Sequence, residues 1–352
     1  MPTIKAAASC FPPYYYSQAE LASAMMRAWP MSESRIKRLT QFLENVKVSG
    51  RYLSQPIEAY EKDSDFEGRN NVWIRTALDL GEQALSEVLQ EASVKPEDLN
   101  ALAFTTVTGL SVPSIEARLM NRIPINRNVK RMPFFGYGCL GGAAGLARLS
   151  DYLAGHPKDV GILLSIELCS LTIQKDDLSV ANLISSALFG DGGAAVLAVG
   201  DEHPLAQTGG PRILGSKSIF FPASEGIMGW DVRNTGFKIV LSADVTDVAL
   251  GLKPHMDAFL QEYDLTIPEI DHWMAHPGGP KVIQALETGL DLPEDALQLS
   301  WDTLEEAGNM SSASVLHILD RTLKSDQVKP GDTGVLMAMG PGFSAELVLM
   351  QW

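Results

Sequence analysis

The stretch FFGYGCLGGAAGLARLSDYLAG, Phe134 to Gly155, sets a single cysteine, Cys139, between glycines at the head of a glycine- and alanine-rich helix. Unpaired backbone N–H groups and the helix dipole favour an anion at such a position. The position therefore predicts a thiol with a lowered pKa, competent as a nucleophile. Gly138, Gly141, Gly142 and Ala143 leave room for close helix packing and for a substrate. A lone cysteine is also a common small hydrophobe of protein cores. On this stretch alone both readings stay open.

Outward from Cys139 the chain alternates strand and helix. NALAFTTVTG ahead of it and DVGILLSIELCSL behind it read as buried strands, the second apolar along nearly its whole length. The later part repeats this order. EIDHWMAHPGG parallels DLNALAFTTVTG, GNMSSASVLHILDRTL parallels GCLGGAAGLARLSDYL, and DTGVLM parallels DVGILL. Such a repeat predicts two similar α/β halves packed together, divided as residues 1–205 and 206–352. It also brings three loops to matching strand ends: the Cys139 turn, the His276 loop and the Asn309 turn.

Composition narrows the function. The chain has 352 residues, 45% hydrophobic and 20% charged, which suits a globular protein with a large core. No apolar run reaches roughly 18 residues, and the N-terminus has no export-signal pattern. Cys10, Cys139 and Cys169 are the only cysteines, and they form no close pair. That argues against a disulfide framework and for a reducing cytoplasm. No CxxC or HExxH spacing occurs, so no dedicated metal site is expected. A net charge of −15 disfavours nucleic acid and anionic membranes as partners. Against that background, the basic run from Arg35 to Arg51 is a candidate contact for phosphate.

His276 in MAHPGGP follows an apolar strand and precedes Pro-Gly-Gly, so a stiff loop holds it. There it could pair with a thiolate or hydrogen-bond a carbonyl oxygen. Asn309 in EEAGNMSSASVL stands where a helix cap belongs, yet its amide could also donate to an oxyanion.

Cys, His and Asn in this order resemble the thiolase superfamily. The surrounding motifs are similar to the type III polyketide synthases, the chalcone-synthase-like enzymes. GYGCLGG resembles their nucleophile segment, ALFGDGGAA their LFGDGAA motif, and HPGGPK and GNMSSASVL their histidine and asparagine motifs. MGPGFSAE resembles their glycine-rich C-terminal loop. The resemblance implies a five-layered αβαβα fold and a homodimer. It implies an acyltransferase that loads an acyl-CoA on Cys139 and extends it with malonyl-CoA, with His276 and Asn309 stabilising the enolate. No cofactor beyond the CoA thioesters is implied.

The same resemblance assigns a cavity. Phe189 matches a gatekeeper phenylalanine, Ile239 a second gatekeeper position, and Cys169 and Thr172 line the cavity. Trp230 lies near a position that controls cavity volume, and Val112 stands where a residue crosses into the partner. Arg38, Lys47, Arg51 and Lys281 are the implied CoA contacts. Cys169 in place of threonine implies a fatty acyl starter and an alkylpyrone or alkylresorcinol product. Two alternatives remain open: a priming ketoacyl synthase performing one condensation, and a catalytically silent acyl-CoA-binding protein of the same fold.

Overall fold

The computed structural model describes residues 1–28, 32–62 and 64–352, except the side chains of residues 28, 34, 35 and 38. In the first half, the strands are β1 (Thr3–Cys10), β2 (Tyr14–Ser17), β3 (Gly50–Leu53), β4 (Ala101–Thr106), β5 (Lys130–Phe135), β6 (Val160–Leu168) and β7 (Asp191–Val199). In the second they are β8 (Arg212–Phe220), β9 (Met228–Arg233), β10 (Gly236–Leu241), β11 (His272–Ala275), β12 (Thr333–Gly340) and β13 (Ser344–Gln351).

Nine of these strands form one sheet in the order β11-β12-β13-β8-β1-β7-β6-β4-β5. The sheet is two half-sheets of one plan. In the first, β1 pairs antiparallel with β7, β7 antiparallel with β6, and β6 parallel with β4. In the second, β8, β13, β12 and β11 repeat those pairings in the same sequence of directions. They join only where β1 meets β8, at Thr3 opposite Arg212. β5 is an addition to the first half, and its Pro133 sits where a strand lacking one N–H is tolerated, at the sheet edge.

Two helices, Gly141–Gly155 and Ser312–Leu323, lie in the centre, each packed against both half-sheets. Their core joins Ala143, Leu146 and Leu149 to Val315, Leu316 and Leu319, with Ala103, Leu163, Leu336 and Val348 from the strands. The Phe66–Glu91 helix covers the outer face of the first half with Trp73, Ala77 and Leu85. Helices Lys253–Gln261, Pro280–Gly289 and Gln298–Ala307 cover the second. The layers are therefore helix, sheet, helix, sheet, helix. No described helix is long and apolar enough to cross a membrane.

Glycine sets the closeness of the central helices. A Cβ on Gly142 would lie 2.3 Å from the Ser312 carbonyl oxygen and 2.7 Å from Val315 Cγ1. Gly142→Ala gains about 0.5–1 kcal/mol of helix propensity. Overpacking against backbone costs about 1–3 kcal/mol, so the clash wins. The variant is expected to unfold at lower denaturant concentration; an unchanged or higher midpoint would refute this account of the helix contact.

The sequence reading does not anticipate β8 or the β9–β10 hairpin, which together span most of Arg212 to Leu241. Burial along all three strands is partial and irregular, and the hairpin borders a cavity through Trp230, Arg233, Lys238 and Ile239.

Candidate active site

Cys139 lies in a single 3-10 turn, Gly138–Leu140, that runs into the Gly141–Gly155 helix. Gly138 makes the turn possible: its φ is 52°, and a Cβ there would lie 2.7 Å from Pro341 Cδ. The thiol is buried. Burial pushes it up to about 12, and the nearby Glu167 carboxylate acts in the same direction. The Ser311 hydroxyl and the Asn309 amide near the sulfur oppose that shift without overcoming it. The helix terminus alone predicts a lowered thiol pKa; burial acts in the opposite direction.

His276 follows β11, and its backbone N–H donates to the Met337 carbonyl on β12 at 2.9 Å. The imidazole is buried, and among the described residues neither ring nitrogen has a hydrogen-bond partner. Burial lowers its pKa to about 3, so the ring is neutral. Cys139 and His276 therefore rest as thiol and imidazole.

Asn309 is fixed from three directions. Its Oδ1 accepts from Ser311 N–H at 2.8 Å, its Nδ2 donates to the Gly278 carbonyl of the histidine loop at 3.4 Å, and its backbone bridges Phe189 in parallel register. Gly308 precedes it at φ 69°. The cap expected at Asn309 is corrected: Ser311 caps the Ser312–Leu323 helix without a side-chain bond, and Asn309 instead closes a turn by accepting from the Ser311 N–H. The amide also ties the His276 loop to the Cys139 environment.

A chamber of about 30 Å³ adjoins Cys139, with Cys169, Phe189, Trp230, Ile239 and Ser311 in its wall. About one water fits that volume. Cys169, Phe189, Trp230 and Ile239 also line a cavity of about 1170 Å³, where Thr172 joins them. Trp230 Nε1 donates to the Val107 carbonyl at 3.0 Å, and the Thr172 hydroxyl donates to the Cys169 carbonyl at 2.8 Å. Phe237, the aromatic near Ile239, turns away and packs edge-on against Phe66. Val112 lines neither space and is 96% exposed.

The expected CoA contacts divide. Lys47 and Lys281 are exposed. The Arg38 side chain lies outside the described residues. Arg51 is corrected: it is 3% exposed, and its guanidinium donates to the Ser186 and Phe189 carbonyls, both at 2.7 Å. It is not a surface contact for phosphate.

Two buried carboxylates escaped the sequence reading. Glu167 on β6 accepts from Thr108 Oγ1 at 2.8 Å, Val107 N–H at 3.1 Å and Ser312 Oγ at 2.5 Å. Asp191 accepts from the N–H and hydroxyl of both Ser54 and Ser170. Burial raises both carboxyls despite these bonds. Each marks a charge inside an apolar run, a signal that sequence alone carries.

Cys139 at the head of one central helix, Asn309 just ahead of the other with the His276 loop tied to it, and two half-sheets of one plan are the layout of a thiolase-like fold. Residues 3–202 match the family model for chalcone and stilbene synthases, N-terminal domain, and residues 212–352 the one for the C-terminal domain. The chain is 41% identical to a 1,3,6,8-tetrahydroxynaphthalene synthase of Streptomyces peucetius, over 99% of this chain and 93% of that one. It is 31% identical to a phloroglucinol synthase of Pseudomonas fluorescens, over 90% of each. The crystal structure of the tetrahydroxynaphthalene synthase of Streptomyces coelicolor superposes with a TM-score of 0.93 at 29% identity, covering 99% of both chains. The chain belongs to the chalcone and stilbene synthase family, the type III polyketide synthases. Its reaction class is acyl transfer by decarboxylative condensation with malonyl-CoA.

Proposed function

We propose that Cys139, His276 and Asn309 carry this chemistry. The observation that supports it is a buried imidazole with both nitrogens unpartnered among the described residues, on a loop tied to the Asn309 amide. An orphaned pair of polar atoms in an enzyme interior calls for a substrate group.

Cys139 attacks the acyl-CoA carbonyl, His276 takes the thiol proton and passes it to the departing sulfur, and CoA leaves as its thiol. Malonyl-CoA then loses CO₂. The electron pair moves onto its thioester oxygen, held by N–H donors of His276 and Asn309. The enolate carbon attacks the acyl-Cys139 thioester, forms the new carbon–carbon bond and releases the thiolate. The electron sink is the substrate's own thioester, so no resident cofactor enters. Lys47 and Lys281 are available to CoA phosphates. Val112, almost wholly exposed, suits a contact with a second copy of the chain, and three free cysteines suit a reducing cytoplasm.

Two product readings each have an observation behind them. Identity to synthases of tetrahydroxynaphthalene and phloroglucinol favours an unsubstituted polyhydroxyarene, whose carbon count needs only two-carbon units. A cavity of about 1170 Å³ beside Cys169 favours a long acyl starter and an alkylpyrone or alkylresorcinol. Mass spectrometry of products from malonyl-CoA alone, and with added fatty acyl-CoAs, separates them. Aromatic product without added starter supports the first, and alkylated product only with it supports the second. A single-condensation product would point to a priming ketoacyl synthase. No carbon–carbon bond formation under either condition would refute the proposal.

A further inference from the structure

Arg51 is a buried cation with no carboxylate in contact among the described residues. Among the described residues it makes no ion pair; Asp191 acts on it only at longer range. Burial lowers its pKa to about 10, which leaves it charged at neutral pH. An isolated buried guanidinium is costly. Its bonds indicate what the fold gains. One nitrogen donates to both the Ser186 and Phe189 carbonyls, at the C-terminal end of the Val180–Leu188 helix, where a cation meets the negative end of the dipole.

The aliphatic stem meets the other half of the site. A Cβ on Gly308 would lie 2.9 Å from Arg51 Cδ and 2.6 Å from the Leu188 carbonyl oxygen. Around Arg51 two segments are laced together: Asn309 N–H donates to Leu188 at 2.9 Å, and Gly190 N–H donates to Asn309 at 3.0 Å. Phe189 walls both the Cys139 chamber and the larger cavity.

We propose that Arg51 is a positioning residue that couples decarboxylation to condensation, by locking the Phe189 wall to the Asn309 turn. The inference rests on the roles proposed for Cys139 and Asn309. With the lock intact, the enolate meets only the acyl-Cys139 thioester. With it loosened, Phe189 shifts, water reaches the enolate, and the carbon is protonated: malonyl-CoA plus a proton gives acetyl-CoA and CO₂ with no new carbon–carbon bond.

The test is the ratio of acetyl-CoA released to carbon–carbon bonds formed, in Arg51→Lys and Arg51→Met. Lysine keeps the charge but lacks the planar fork. A merely structural role lowers both quantities with the fraction of folded enzyme and leaves their ratio unchanged. The lock predicts a rise of about fivefold or more in Arg51→Met and a smaller one in Arg51→Lys. A ratio within about twofold of wild type in every soluble variant would overturn it. Should neither variant be soluble, Gly308→Ala, which wedges the same junction, decides by the same ratio. Wild-type enzyme that neither decarboxylates nor condenses malonyl-CoA would instead refute the underlying active-site reading.

Discussion

Cys139→Ala is expected to yield a folded protein that makes no polyketide, with product formation down on the order of 10⁴-fold or more. The loss is chemical: alanine fills most of the buried site, and stability should fall by only about 1 kcal/mol. The same thiol gives a pH signature. Burial holds Cys139 up to about 12, so the thiolate is the minor form at neutral pH and grows as pH rises. Alkylation of Cys139 by iodoacetamide, followed by mass spectrometry, should keep accelerating from about pH 7 to 10. A plateau below pH 7 would mean an ion pair with His276 already present in the free enzyme. Product from Cys139→Ala at wild-type rate would end the mechanism.

Asn309→Ala is expected to cost about 10²–10³ in the rate of malonyl-CoA decarboxylation, or roughly 2.7–4 kcal/mol, as for one oxyanion donor elsewhere. It removes the donor, the bond to Gly278 and the bond from Ser311 N–H together. Acyl transfer from CoA to Cys139 should fall much less, since that step does not build the enolate. Rapid-quench measurement of acyl-enzyme and CO₂ separates the two steps. Equal loss in both would assign Asn309 to local structure.

Much of this was legible in the chain. The paired segments around Cys139 and Asn309 do fold as matching helices between matching half-sheets, because order and apolar pattern repeat together. Of the six cavity positions, Cys169, Phe189, Trp230 and Ile239 share one wall, Thr172 lines only the larger cavity, and Val112 lines neither. Three features were not legible, for physical reasons. The rise of the thiol pKa depends on how completely both half-sheets exclude water, which no local motif encodes. Arg51 belongs to a basic run by sequence, but β3 carries it inward against the Phe189 segment. Glu167 and Asp191 draw their donors from Val107, Thr108, Ser54 and Ser312, far away along the chain. Spacing cannot predict such partners.

The shared central layer has a consequence for biosynthesis. The Gly141–Gly155 helix buries Leu146 and Ala147 against Val315, Leu316 and Val348. Ribosomes add about 5–20 residues per second, N-terminus first. For several seconds to a minute or so, the half that bears Cys139 therefore exists with one apolar helix face uncovered and its thiol open to water. The nascent chain is at its most aggregation-prone and most oxidisable in that interval. Yield in a foreign host should depend on chaperone capacity and translation speed more than on the stability of the finished protein.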